Sequence, residues 1–245
     1  MGRHLVRATR FRQSLVAFVE QSPLWFQSTL VGVSAFLVYA PTAWFGPRQN
    51  NDTWAAALSA WRLGQHGELD LSGYDAGIPW SVEVGDQVFT NRFPGVIFAA
   101  APFYAIFGRS ELPTIFPGAI AAAALTATAV AVGFAVFRSL VSPRAALGAT
   151  AIFAFATPTW SVSADALWTH GPGQMWLLLG MLALSRNRHG TAGAMAAIGT
   201  LTRPHTMVGW AVAAMYDVWA SRTVGRAARL LIAASAGAVL LVAYN

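Results

Sequence analysis

The chain of 245 residues is 56% hydrophobic and only 11% charged. Soluble domains carry about 25% charged residues, so this composition favours a membrane protein. The net charge of +6 comes from 16 basic residues, all of them arginine, against 10 acidic ones. A nucleic-acid-binding protein needs a solvated basic face, whereas these arginines stand singly or in pairs between apolar runs. The absence of cysteine excludes disulfides, thiolate metal sites and a cysteine nucleophile.

The first 28 residues are basic and precede the first apolar run. A cleavable signal peptide is not indicated, because Glu20, Pro23 and several aromatic residues interrupt the segment before that run starts. We interpret residues 1–28 as a cytoplasmic segment. Either a basic helix on the membrane surface or a disordered tail is compatible with its sequence.

Eight apolar stretches follow, and the arginines between them predict the topology. The stretches lie at about 29–45, 95–107, 114–137, 145–163, 172–185, 191–202, 205–220 and 228–244. A spanning helix needs about 20 residues, and arginine-rich loops stay cytoplasmic. If 95–107 lies at the outer interface, 11 of the 16 arginines face inward. The sequence therefore predicts an all-α membrane protein with about seven spans, the N-terminus inside and the C-terminus outside.

The polar half of the chain, residues 46–113, is predicted to be a large outer loop. Thr53 to Gln65 shows helical spacing, which predicts an amphipathic juxtamembrane helix with Asp52 as its N-cap. Trp54 and Trp61 are expected to anchor this helix at headgroup level.

Two further elements are predicted in this outer loop. Residues 80–90 alternate around Gly85-Asp86, which predicts a short hairpin with a two-residue turn. The stretch at 95–107 is predicted to be a second juxtamembrane helix, because its 13 residues are too few to span.

Ionisable residues at the outer rim of a membrane protein are candidates for function, because their burial is costly. They are Asp52 after the first span, Asp165 and His170 in the loop from Ser163 to Gly173, and Arg203 and His205 on either side of Pro204. All of them lie on the outer face in the predicted topology. We therefore expect them to converge on one cavity.

Each candidate has a functional and a structural interpretation. Asp52 is either a general base for an acceptor hydroxyl or a plain N-cap. Arg203 either holds a lipid-linked phosphate or snorkels from a helix end to the interface. Asp165 and His170 form an acid/base or metal pair, or they belong to a solvated loop.

Six short motifs follow one another in the predicted outer segments. They are Asn51-Asp52-Thr53-Trp54, Gly67-Glu68-Leu69-Asp70-Leu71, Asn91-Arg92-Phe93-Pro94-Gly95, Ala100-Ala101-Pro102-Phe103-Tyr104, Leu167-Trp168-Thr169-His170-Gly171-Pro172 and Gly199-Thr200-Leu201-Thr202-Arg203-Pro204. Their order resembles the GT-C superfamily of polytopic membrane glycosyltransferases, and the pattern is similar to protein O-mannosyltransferases and aminoarabinose transferases. Tyr244-Asn245 end the last apolar run without a polar anchor, so we expect an N-terminal fragment of such an enzyme.

The resemblance implies a transferase that moves a sugar from a polyprenyl-phosphate donor, with inversion, to a glycan, lipid or protein acceptor. The reaction is expected on the outer face of the cytoplasmic membrane. By family analogy Asp52 is the general base, with Asp165 as the second catalytic candidate. The candidates for binding the donor phosphate are Arg203, His205, His170 and Arg92. The resemblance assigns no definite cofactor, a divalent cation is an open alternative, and membrane lipids rather than nucleic acid are the other expected partners.

The alternative from a different class is a non-catalytic membrane protein, such as a lipid-linked-saccharide transporter or an envelope-assembly scaffold. Transporters place ionisable residues and broken helices near the bilayer midplane in repeated halves. Here the polar residues gather on one side, which favours surface chemistry. The break at Arg203-Pro204 keeps the transporter interpretation open.

Overall fold

The computed structural model describes residues 21–45, 50–74, 80–111 and 113–244, and these residues are mostly helical. The helices are α1 (Leu24–Phe45), α2 (Asn51–His66), α3 (Pro94–Phe107), α4 (Phe116–Leu140), α5 (Pro143–Phe155), α6 (His170–Ser185), α7 (His189–Thr202), α8 (Thr206–Ser221) and α9 (Val224–Tyr244). The all-α prediction fits this architecture. Most of the basic segment predicted over 1–28 lies outside the described residues.

Three of the described helices are long and apolar enough to cross a membrane: α1 over Leu24–Ala43, α4 and α9. The four other predicted spans, α5 to α8, contain 13, 16, 14 and 16 residues. These helices are shorter than the roughly 20 residues that an untilted span needs. Three candidate spans are therefore established by length and composition, and the seven-span topology stays a prediction.

Two helix boundaries differ from the prediction. The first apolar helix begins at Leu24 instead of near residue 29, directly after Pro23, whose carbonyl accepts hydrogen bonds from the next turn. The stretch predicted at 145–163 is not continuous, because α5 ends at Phe155 and Thr159–Ser163 forms a separate π-helical turn. Pro158 stands between the two and cannot donate a backbone hydrogen bond, which explains the interruption.

Small residues allow the long helices to pack closely. A side chain at Gly32 of α1 would lie 2.9 Å from Cβ of Ala131 on α4. A side chain at Gly193 of α7 would lie 2.5 Å from Cβ of Ala233 on α9. Close backbone approach of this kind is typical of helix packing in membranes.

Helix α2 packs into the core of the protein. Its residues from Ala55 to Trp61 are buried, and Trp61 is fully buried in a core shared with α3. The indole Nε1 of Trp61 donates a hydrogen bond to the carbonyl of Arg109 at 2.7 Å. The prediction of Trp61 as a headgroup anchor is therefore wrong, because the loop packs α2 against its own α3 and covers the ring.

The predicted hairpin is present, with β1 (Ser81–Val84) antiparallel to β2 (Gln87–Thr90). Gly85 opens the turn at φ +64°, a conformation that glycine adopts without strain. Two contacts fix β2 on the helical core: the Leu71 amide donates to the Val88 carbonyl at 2.8 Å, and the Ser59 and Thr90 hydroxyls lie 2.6 Å apart. The hairpin is thereby held against α2.

Candidate functional site

The N-cap of α2 is Asn50 and not Asp52. The Asn50 side chain accepts a hydrogen bond from the Thr53 amide at 3.0 Å, and the Thr53 hydroxyl accepts one from the Asn50 amide at 3.2 Å. This reciprocal capping box satisfies the free amides at the start of the helix. Asp52, which was predicted as the cap, is the second residue of the helix, and its carboxylate contacts another partner.

That partner is Arg92, in the segment between the hairpin and α3. Its Nη1 donates to Asp52 Oδ1 at 2.8 Å, and the side chains of the arginine and the aspartate are 22% and 41% exposed. Arg92 is held from two other sides, because Nη2 donates to Asn91 Oδ1 at 2.9 Å and the guanidinium lies 5.1 Å from the ring centre of Trp80. Asp52 is thus presented at the rim of the fold beside a positioned cation.

A second pair joins α6 to the connection between α7 and α8. Arg203 Nη1 lies 2.5 Å from His170 Nδ1 at the start of α6. The aliphatic part of the Arg203 side chain packs against Gly173, where an added Cβ would be 3.0 Å from Arg203 Cδ. The ring of Trp168 is 6.0 Å from the His170 ring. Glycine at position 173 therefore makes room for the arginine to reach the histidine.

Burial lowers the pKa of His170 below its ordinary value of 6.5, and the positive charges of Arg203 and His205 lower it further. Burial also lowers the pKa of Arg203, which nevertheless stays charged near neutral pH. A neutral His170 accepts from Arg203 at Nδ1, so its proton resides on Nε2. The pair then offers a guanidinium and an imidazole N–H side by side, both of which can donate to an anion.

The two pairs lie at the same end of the helix bundle. Gly95, at the start of α3, packs on the end of α7, where an added Cβ would lie 2.6 Å from the Thr202 amide nitrogen. Gly95 is three residues from Arg92, and Thr202 precedes Arg203. Since a chain extends at most about 3.5 Å per residue, the backbone of Arg92 lies within roughly 10 Å of Gly95. Asp52 and Arg203, which we expect to converge on one cavity, are thereby connected through the contact between α3 and α7.

The two other predicted site residues are placed as follows. Asp165 is half-buried in the loop between the π-helical turn and α6. His205 is exposed at the start of α8. Within the described ranges, no group of three or more His, Asp or Glu side chains could hold a metal ion.

Trp80 is not among the predicted site residues. Its backbone carbonyl accepts from the Asn91 amide at 2.9 Å, and its φ of +60° is uncommon for a residue with a side chain. Trp80 is the first residue of the predicted hairpin and Arg92 closely follows it, and this placement is the signal that could have indicated the cation–π contact. Trp80 is 52% exposed, so its contact with Arg92 lies at the surface.

No protein-family model matches this chain. No curated protein and no solved structure matches it either.

Proposed function

We propose that this protein is a membrane glycosyltransferase of the GT-C type that transfers a sugar from a polyprenyl-phosphate donor to an acceptor on the outer face of the cytoplasmic membrane. The proposal includes the seven-span arrangement, with α3 at the outer interface. In that arrangement Asp52, Arg92, His170 and Arg203 share the outer side. The short α5 to α8 are then spans that rely on tight packing and local thinning of the bilayer.

The observation that carries the proposal is that the Asp52–Arg92 pair lies at the same end of the bundle as the Arg203–His170 pair. A carboxylate at the rim can act as a base, and a guanidinium with an adjacent imidazole N–H can hold a phosphate. Transfer from a sugar phosphate needs these two functions and no activated water. Their placement at one end of the bundle supports a single reaction site.

In the proposed reaction an acceptor hydroxyl attacks the anomeric carbon of the donor from the side of Asp52. The new C–O bond forms as the bond from that carbon to the phosphate oxygen breaks, so the configuration inverts. Asp52 takes the hydroxyl proton, and the polyprenyl phosphate leaves with the electron pair of the broken bond. Arg203 and His170 stabilise the charge that develops on the phosphate. Arg92 orients the carboxylate, with Oδ1 engaged and Oδ2 turned towards the acceptor.

The test is sugar transfer by the purified protein in lipid nanodiscs, supplied with a panel of polyprenyl-phosphate sugars. Loss of a general base typically costs about 10²- to 10⁴-fold in rate, so Asp52→Asn is expected to lose transfer by that amount. Asp86→Asn, in the exposed hairpin turn, is the matched control and is expected to keep full activity. Arg203→Gln is expected to raise KM for the donor.

Two results would contradict the proposal. Turnover that persists in Asp52→Asn would mean that another residue is the general base, and Asp165 would then be tested. Absence of turnover with every donor, combined with movement of a lipid-linked saccharide across the bilayer, would favour the transporter interpretation.

A further inference from the structure

A groove on the opposite half of the bundle suggests a second ligand. It runs between α1 and α5, with α4 as its floor, and has a volume of about 440 Å³. Volumes of this size are typical of small-molecule sites. The groove is lined mostly by apolar side chains; of its polar residues, Gln27 and Arg144 lie at one end and Ser34 and Thr150 lie along the walls.

The shape of the groove is asymmetric along the helices. Near its far end the Tyr39 hydroxyl donates to the Ala154 carbonyl at 2.9 Å, and the rings of Tyr39 and Phe155 meet edge to face with centres 5.9 Å apart. These contacts join α1 to α5. The near end is marked by Gln27 in the first turns of α1 and Arg144 at the start of α5. The groove is therefore closed at the end where α5 finishes and carries its polar residues where α5 begins.

The side chains of the groove walls are suited to an apolar ligand rather than to a polar one. The hydroxyl groups of Ser34 and Thr150 line the groove, but each donates to the carbonyl four residues earlier in its own helix, at 2.9 Å and 2.7 Å. The remaining wall consists of aliphatic and aromatic side chains such as Val31, Val130 and Phe134. An apolar chain is the ligand that such a wall accommodates.

The length of the groove matches one leaflet of a bilayer. From Arg144 to Phe155 α5 rises roughly 17 Å, at about 1.5 Å per residue. The hydrocarbon core is about 30 Å thick, so one leaflet contributes roughly half of it. Two of the three helices that form the groove, α1 and α4, are long and apolar enough to cross a membrane.

We propose that this groove binds one acyl chain of an anionic phospholipid, with the lipid phosphate at the guanidinium of Arg144. A guanidinium at the open end of an apolar groove complements a phosphate above an acyl chain. A polyprenyl chain is much longer than an acyl chain and would extend beyond the closed end formed by Tyr39 and Ala154. The site is thus distinct from the proposed donor site, which lies at the other end of the bundle.

The lipid stabilises the fold by filling the gap between α1 and α5. Away from the Tyr39 contacts, these two helices are joined mainly through their common neighbour α4. A bound chain restores the dispersion contacts that the open groove lacks. The groove and its lipid are independent of whether the protein is a glycosyltransferase.

The experiment is native mass spectrometry of the purified protein titrated with phosphatidylglycerol or phosphatidylcholine in detergent. Wild type is expected to retain one phosphatidylglycerol. Arg144→Gln is expected to weaken its binding about five-fold, the size typical of one cation near an anionic lipid. Arg186→Gln, an exposed arginine outside the groove, is the matched control and is expected to bind like wild type.

A second pair of variants tests the acyl chain separately from the headgroup. Ser34→Trp places a ring in the groove and is expected to abolish retention of the lipid. Leu37→Trp, on an exposed part of the same helix, is expected to keep it. Equal binding of both lipids with no effect of Arg144→Gln, unchanged binding in Ser34→Trp, or displacement of phosphatidylglycerol by a polyprenyl phosphate would each overturn the proposal.

Discussion

Arg92 donates a hydrogen bond to Asp52 across 40 positions of sequence, and the two atoms are 2.8 Å apart. The contact joins the start of α2 to the segment that leads from the hairpin into α3. Both side chains reach the surface, so the pair is not a buried structural bridge. Exposed pairs of this kind contribute about 0–1 kcal/mol to stability, which makes orientation of the carboxylate the more important consequence.

Replacing Arg92 should therefore affect activity more than stability. Arg92→Gln is expected to lower the rate of sugar transfer about 10- to 100-fold, because the carboxylate loses the group that fixes its direction. The melting temperature is expected to stay nearly unchanged. Both quantities are measured on the protein in nanodiscs, and the double variant with Asp52→Asn should be no slower than Asp52→Asn alone.

Arg62 provides the control for this prediction. It forms a similar pair with Glu68 at 2.7 Å, with side-chain exposures of 19% and 57%. Arg62→Gln is expected to leave transfer unchanged, since the pair lies outside the proposed site. Equal losses of activity in Arg62→Gln and Arg92→Gln would indicate a general effect of removing charge from the segment between α1 and α4.

The capping box at the start of α2 gives a stability prediction. Asn50→Ala is expected to destabilise the protein by about 1 kcal/mol, because the Thr53 amide loses its acceptor. For a chain of this size the corresponding drop in melting temperature is about 2–4 °C. Asn51→Ala, the adjacent exposed position, is the control and should melt like wild type. A larger effect of Asp52→Ala than of Asn50→Ala would instead support Asp52 as the cap.

Local chemistry made part of this fold predictable. The hairpin follows from Gly85-Asp86, which determine the turn without help from the rest of the chain. The N-cap was assigned to the wrong residue because Asn50, Asn51 and Asp52 are all good caps, and only the reciprocal bonds with Thr53 select one.

Contacts between distant segments could not be predicted in the same way. Trp61 has the same amphipathic signature whether it meets lipid headgroups or a protein core, and the structure buries it completely. The pairing of Asp52 with Arg92 depends on how the hairpin and α3 fold back onto α2. Neither residue carries a local signal for the other, so the candidate site was predicted as a set of residues without its contacts.

The junction of α3 and α7 should not tolerate a side chain at Gly95. In Gly95→Ala the new Cβ would lie 2.6 Å from the Thr202 amide nitrogen and 2.8 Å from the Leu201 carbonyl carbon, and backbone atoms cannot rotate away. Overpacking of this kind typically costs about 1–3 kcal/mol. We expect a lower melting temperature and weaker donor binding, because the shift of α7 displaces Arg203.

Gly148 is the matched control for Gly95. It also lies within a helix, but a Cβ added there meets nothing within 4 Å. Gly148→Ala is expected to keep or slightly raise the melting temperature, since alanine is the better helix former. Equal destabilisation by the two substitutions would exclude the α3–α7 contact as the cause.

The Arg203–His170 pair predicts a dependence on pH. Burial and then the charges of Arg203 and His205 lower the pKa of His170, so the folded protein binds a proton less readily than the unfolded chain. The associated stability is fully present above the unfolded value of 6.5 and is lost as pH falls through the lower folded value. Melting temperatures between pH 7.5 and 5 should therefore fall more steeply for wild type than for His170→Gln. His66→Gln, an exposed histidine near the Ser110 carbonyl, is the control and should follow wild type. Parallel curves for wild type and His170→Gln would exclude His170 as the titrating group.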